Sequence, residues 1–292
     1  MILVAGGTGF VGTKVVHALR AAELPVRVLA RRPERQEQLR SWGCEVVPGD
    51  MTDADSLRRA VEGCTTVVHL VAILLGRPEE FERIMIQGTR DLVEASKEAG
   101  VTRLVLQSAL GAEEGREVAP YFHAKWEEEQ AVKYSGIEHV IFRPSFIFGR
   151  DGGILAQQIK VVRYSPVTPI LGRHRMQPIW VDDVASLFTA AVSAAEAPNR
   201  TFDVGGPDRL SWAELHELIR KTLGKRRLAF QMPPGLLKAG ATVGQILPPF
   251  HGARSAVEML DLGDNVGDAG PVVETYGIRP IGIKEQVRRA VS

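Results

Sequence analysis

The 292-residue sequence has little of what would mark it as a specialised class of protein. Cysteine occurs twice, at Cys44 and Cys64, with no metal-like spacing and too few residues for a disulfide framework. Both lie in stretches that read as buried strand starts, where a thiol packs as a small apolar group in a reducing compartment. No metal site is expected. No apolar run approaches the roughly 20 residues that a membrane helix needs. The first residues, Met-Ile-Leu-Val-Ala, read as a strand rather than a signal or transit segment, so a cytoplasmic location is expected. Charge of one sign is also lacking: 36 basic against 35 acidic side chains leave +1, so no global field draws nucleic acid or an anionic surface. Internal repeats and low-complexity runs are absent.

What is present is alternation. Through about residue 150, short Val/Ile/Leu-rich runs alternate with longer amphipathic stretches, the pattern of βαβ units around a parallel sheet. Six strands are expected, at Ile2 to Ala5, Pro25 to Ala30, Glu45 to Pro48, Thr66 to Val71, Arg103 to Gln107 and His139 to Arg143. Each is nearly continuous in apolar residues, as strands covered on both faces are. The first helix carries Val11, Val15, Val16 and Leu19 at helical spacing. Another begins after Thr52, whose hydroxyl is placed to cap it, and a longer one runs from about Glu79 to Ala99. The pattern breaks after Gly149 and returns with Gln177 to Ser193 and a strand near Thr201 to Val204. The expected architecture is therefore a Rossmann-type doubly wound α/β domain over 1–150, rejoined by 177–206. A smaller discontinuous lobe, for substrate or partner, would combine 151–176 with 207–292.

Directly after the first strand stands Gly6-Gly7-Thr8-Gly9-Phe10-Val11-Gly12, opening a helix. Gly6 permits the tight turn, Gly9 lets a pyrophosphate approach the backbone, and Gly12 lets helix and strand pack closely. The helix N-terminus adds amide donors and a positive dipole end. Thr8, Phe10 and Val11 complete the expected cradle. At the end of the second strand, where an acidic residue would hold the ribose 2'-hydroxyl of NAD, the chain has Arg31 and Arg32. They match a 2'-phosphate, so NADP(H) is preferred with NAD(H) possible, unless the pair is only a solvated strand end. Asp50 and Met51 follow the third strand, where the adenine should lie; the alternative is that Asp50 and Thr52 only start the next helix.

After the fifth strand comes Tyr121-Phe122-His123-Ala124-Lys125, with Tyr and Lys four apart on one helix face. An ammonium and an oxidised nicotinamide would both lower the tyrosine pKa, fitting Tyr121 to exchange a proton with a carbonyl or hydroxyl while Lys125 grips the ribose. Together these motifs resemble the short-chain dehydrogenase/reductase superfamily, in its extended and atypical epimerase/dehydratase-like branches. Gly49-Asp50, His69-Leu70-Val71-Ala72, Gly88-Thr89, Arg143-Pro144-Ser145 and Val181-Asp182-Asp183-Val184-Ala185 extend the resemblance over nearly the whole chain. It implies that Val71 and Ala72 lie along the cofactor and Pro144 and Ser145 near the nicotinamide. Ser108-Ala109-Leu110-Gly111-Ala112 and Gln177-Pro178-Ile179 look most like the group related to the 39 kDa accessory subunit of respiratory complex I.

The departures from that family bear on function. Its catalytic Ser or Thr falls at Ala109, with Ser108 one position early as a candidate substitute, and the Asn often found in helix four is Met85. Epimerase positions that hold a sugar nucleotide read Phe146 and Met176; Arg173 and Arg175 lie close by, either as phosphate contacts or as a solvated loop. Ile73-Leu74-Leu75 with Phe146, Ile147 and Phe148 would line an apolar pocket or pack in the core. The first expectation is an NADP(H)-dependent oxidoreductase acting on a carbonyl or hydroxyl of a largely apolar small molecule. The second is a cofactor-holding structural, assembly or redox-sensing protein, with the Pro-rich stretch 230–250 either docking a partner or membrane complex or packing over the substrate pocket. Sugar-nucleotide epimerisation is third.

Overall fold

The computed structural model describes residues 1–113, 119–170, 172–193, 198–233, 235 and 262–292. Seven parallel strands form the central sheet: β1 (Ile2–Ala5), β2 (Val26–Ala30), β3 (Glu45–Pro48), β4 (Thr66–His69), β5 (Arg103–Gln107), β6 (Glu138–Pro144) and β7 (Arg200–Val204). Their order is β7-β6-β5-β4-β1-β2-β3, the doubly wound arrangement that the alternation predicts. Ile2 pairs with Val26 on one side and Thr66 on the other, so β1 is an interior strand, next to the central β4.

Successive side chains of a strand point to opposite faces, and both faces are covered. Ile2, Val4, Val26 and Val28 pack with Val15, Val16 and Leu19 of α1 (Phe10–Ala21) and with Leu187 and Phe188 of the helix Val181–Ser193. Leu3, Ala5 and Leu29 face the other way, onto Leu57 and Val61 of α2 (Ala54–Val61) and Leu92 of α3 (Gly88–Glu98). Burying each such side chain stabilises the fold by about 1.5–3 kcal/mol, which is why the strands read as continuous apolar runs. A separate apolar cluster joins Leu155 and Val162 of helix Gly153–Tyr164, Trp212 and Ile219 of helix Trp212–Thr222, and Val287 of helix Ile283–Val291. Ser211 caps the second of these, accepting the Glu214 N–H while Glu214 accepts that of Ser211. Cys44 and Cys64 are free and buried, and burial pushes both thiols up, as inert packing requires.

Two local expectations are corrected. Asp53, not Thr52, caps α2, accepting the Ser56 N–H at 3.1 Å; Thr52 instead donates its N–H and hydroxyl to Asp50. The single helix expected from Glu79 to Ala99 is interrupted by wide π-type turns over Phe81–Gln87 before α3 begins. The wider turn directs Phe81, Met85 and Ile86 into one buried cluster with Tyr121. Of the stretch 230–250, Phe230 and Gln231 end a short strand, Leu228–Gln231, paired in parallel with Val167–Ile170. Residues 234 and 236–250, expected either to dock a partner or to pack over the substrate pocket, lie outside the described residues. Among the described residues no helix is long and apolar enough to cross a membrane.

Candidate active site

Because all seven strands run parallel, the loops following them gather at one edge of the sheet, and the order reverses between β1 and β4. That reversal opens a crevice, the place where doubly wound sheets take ligands. Gly6 has φ +87°, and a Cβ there would stand 2.8 Å from the Leu70 carbonyl carbon and Val71 nitrogen, so the turn is pressed against the loop after β4. Gly12 is tighter still: its Cβ would lie 2.0 Å from the Gly6 carbonyl oxygen. Gly9 differs from both. It has extended backbone, and a Cβ would meet only the Gly6 oxygen, at 3.4 Å. Packing therefore does not require glycine at position 9, whereas a pyrophosphate seated on the turn does.

The N-terminus of α1 carries no side-chain cap and no acidic residue in its first turn, so its leading amides are left for an anion. Thr8 is exposed beside them, while the Phe10 ring fills the space left by Gly149 and Gly152, and Val11 packs on the core. These features fit a dinucleotide diphosphate. Arg31 and Arg32 are exposed at the end of β2, and their side chains make no hydrogen bond or ion pair among the described residues. Burial opposes charge on Asp50, but the Thr52 N–H and hydroxyl, then Arg31 and Arg83, hold its carboxyl below the usual range. Met51 is buried under Gly88 rather than open to a ligand, and Ala72 is exposed.

The tyrosine and lysine lie in a helix from Pro120 to Lys133, but their electrostatics reverse the expectation. Tyr121 packs among Phe81, Met85, Ala109 and Phe122, and its hydroxyl has no hydrogen-bond partner among the described residues. Burial, and then the Glu128 carboxylate, push the phenol above its ordinary range. It is held protonated. Lys125, fully buried, donates to Glu128 Oε2 at 2.8 Å, Gln107 O at 2.9 Å and Val71 O at 3.3 Å. An ammonium has three donors, so all are taken; gripping a ribose requires Lys125 to exchange one, the Val71 carbonyl being the longest contact. Its charge is answered by Glu128 instead of acting on Tyr121.

Glu128 is itself fully buried, and burial pushes its carboxyl up to about 7 against the opposing pull of Lys125 and Thr89. The Thr89 hydroxyl donates to Glu128 at 3.4 Å and meets His69 Nε2 at 2.8 Å. Burial, then Lys125, lower the His69 imidazole to about 3, so it stays neutral. The next residue, Glu129, serves a different unit. It accepts two hydrogen bonds from Arg143 at 2.7 and 2.6 Å, one from the Ser108 hydroxyl at 2.5 Å and one from Lys133 at 2.9 Å. Burial works against its charge, yet these donors hold its carboxyl below the usual range. Ser108, expected as a substitute catalytic hydroxyl, is thus fully buried and committed to an ion pair, while Ala109 faces the Tyr121 cluster.

Beyond β5 and β6 lies a cavity of about 180 Å³. Phe122, Phe146 and Trp212 give it aromatic walls, His174 lines it too, and Arg143, Arg175, Glu113, Asp203 and Asp264 give it charge of both signs. The expected pocket was apolar; this one is mixed. Phe148 does not line it, being sealed in the core, and Leu74 and Leu75 are exposed on the loop after β4. Met176 is buried, and the Arg175 side chain donates to the Arg209 carbonyl at 2.8 Å. Pro144 O accepts the Leu110 N–H, and the Ser145 hydroxyl donates to Asn265 O at 2.9 Å. Asn265 also donates through Nδ2 to Leu110 O at 3.0 Å, bringing a remote segment to the ends of β5 and β6. Sequence reasoning passed over Asn265, Glu128 and Glu129; for the last two the available signal was acid at the third and fourth positions after Lys125.

A family model described as NAD(P)H-binding matches residues 6–194, spanning the glycine turn and all but the first and last strands of the sheet. The chain belongs to this NAD(P)H-binding family. Two family relatives differ in what their names describe. Ceramide reductase of Caulobacter vibrioides is 29% identical over 246 residues, 83% of this chain and 77% of the relative. The mitochondrial NADH dehydrogenase [ubiquinone] 1 alpha subcomplex subunit 9 of Mus musculus is 28% identical over 295 residues, 95% of this chain and 76% of that one. An NADPH-dependent quinone oxidoreductase from Escherichia coli, solved with NADPH, shares the fold with a TM-score of 0.80 at 18% identity, covering 100% of both chains. The resemblance drawn from the motifs is thereby borne out at the level of family and fold.

Proposed function

We propose that this NAD(P)H-binding chain is an NADP(H)-dependent reductase that delivers a proton from Tyr121 to the carbonyl oxygen of a small molecule. The observation that carries the reading is Tyr121 itself, a phenol kept protonated by burial and by Glu128 near the carboxyl edge of the sheet. Reduction needs the phenol to start protonated and oxidation needs it ionised, so the direction favours reduction; because the raised pKa makes the phenol a weak acid, a bound cofactor would have to lower it for turnover. Bound NADPH supplies the hydride. Arg31 and Arg32, with exposed side chains at the end of β2, would receive its 2'-phosphate, and the α1 amides its diphosphate. Phe122, Phe146 and Trp212 would hold an apolar or aromatic body, while the charged rim favours a substrate carrying polar groups beyond the carbonyl.

Tyr121→Phe tests this with NADPH consumption against a panel of quinones and ketones. Turnover should fall by about a hundredfold or more with NADPH affinity kept; unchanged turnover would remove the tyrosine from the chemistry. A second reading has its own support. With Lys125 saturated, Ala109 in place of a hydroxyl and Met85 beside Tyr121, the chain would hold NADP(H) as a subunit or assembly protein with little turnover. Purification in a larger complex, with no substrate of the panel consumed, favours it.

A further inference from the structure

The near-zero total charge conceals a segregation. From Gly152 to Val181 and from Leu218 to Val257 there is no Asp or Glu, yet these segments hold 11 of the 36 basic residues, of which Arg220 and Lys221 pair with Glu217 at the segment's edge and Lys238 and Arg254 lie outside the described residues; the remainder of the chain carries 25 basic and 35 acidic side chains. The fold joins the two segments. Val167–Ile170 and Leu228–Gln231 form a parallel two-stranded ribbon in which Leu228 pairs with Val167 and Phe230 with Pro169. Thr168 is fully buried and bonded to His216, so its inward orientation turns Val167 and Pro169 outward, and the pairing puts Leu228 and Phe230 on that same outer face. Leu228 is 74% exposed, Phe230 41% and Val167 45%, and Tyr164, at the end of the adjoining helix, is 77% exposed. Lys225 and Arg226, just before Leu228, are exposed, as is Lys160 one helical turn before Tyr164. Arg227 fixes the ribbon to that helix, donating to the Val162 and Arg163 carbonyls at 3.0 and 2.9 Å.

We infer that this ribbon is a reversible docking face for an anionic lipid surface. Exposed apolar residues beside cations, without one acidic residue in either strand's segment, match the layered chemistry of a membrane interface, with acyl chains beneath anionic headgroups. A second copy of this chain would bring cations against cations, and protein interfaces ordinarily set both signs of charge against each other. The inference is independent of the redox reading, since none of these residues belongs to the cofactor turn or the tyrosine cluster.

Flotation of the full chain with phosphatidylcholine vesicles, with and without phosphatidylglycerol, tests it. Binding is expected only when phosphatidylglycerol is present and should weaken as salt is raised. Lys225→Gln with Arg226→Gln should lower partitioning roughly 25-fold, at about fivefold per cation near an anionic surface. Leu228→Ser with Phe230→Ser should also reduce it. All four side chains are exposed, so NADPH affinity and the thermal midpoint serve as controls and should not move. Absence of binding to phosphatidylglycerol vesicles overturns the inference, whether or not the chain self-associates or captures an acidic protein. Equal binding to both vesicle types, or full binding by the quadruple variant, overturns it as well.

Discussion

Lys125→Met would leave the Glu128 carboxylate in the interior with the Thr89 hydroxyl as its remaining donor, 3.4 Å away. Removing one partner of a fully buried pair costs about 3–5 kcal/mol, because the other charge is left uncompensated. Glu128→Leu strands the ammonium with only the Gln107 and Val71 carbonyls and should cost a similar amount. The double variant removes both charges and should fall about 2–3 kcal/mol short of the sum of the singles. With a urea slope near about 3 kcal/mol per molar, each single variant moves the midpoint by roughly 1 M or more. The pH dependence fixes the sign. Folding raises the Glu128 carboxyl to about 7, from about 4.3 in an unfolded chain. The folded state therefore binds the extra proton, and stability from this group falls as pH rises through that window. Without Lys125 the carboxyl is raised further, so the deficit of Lys125→Met should be larger at pH 8 than at pH 5. Additive single effects, or a deficit independent of pH, would refute the coupled buried pair.

Gly9→Ala should leave the thermal midpoint nearly unchanged yet abolish NADPH binding in titration calorimetry, whereas Gly12→Ala should destabilise the fold itself by about 3 kcal/mol. Arg31→Ala and Arg32→Ala should each weaken NADPH about tenfold or more while sparing NADH; equal losses for both cofactors would mean that the arginines do not read the 2'-phosphate. Ser108→Ala should lower stability by about 1.5–3 kcal/mol through the lost bond to Glu129 and leave turnover per folded molecule unchanged. A hundredfold drop in turnover would make the hydroxyl a participant in the chemistry.

The residues that were legible in sequence are those whose role is local. Strands covered on both faces must be apolar throughout, so alternation with helices disclosed β1 to β6 and the parallel sheet. Gly6 and Gly12 follow from steric limits within seven residues of chain, and Arg31 and Arg32 from their distance beyond that turn. Even Ser211 with Glu214 is a local signal, since a capping box satisfies two amides three residues apart. The split of the Glu79 to Ala99 helix escaped notice because a π-type turn retains helical periodicity on either side and is set by what Met85 and Phe81 must reach.

The tertiary structure decided what the tyrosine and lysine do. Glu127, Glu128 and Glu129 look in sequence like an ordinary solvated acidic run. In the fold Glu127 reaches the surface Arg90, Glu128 is buried against Lys125, and Glu129 is buried against Arg143 from β6. Consecutive helical positions are about 100° apart, so three neighbours met three environments, and those environments are supplied by chain up to 40 residues away. The sequence alone determined that this chain builds a dinucleotide fold, because backbone sterics and apolar burial act through short-range pattern. Whether Tyr121 stands as an acid or a base was left to packing, because a pKa depends on desolvation and on charges gathered from distant segments.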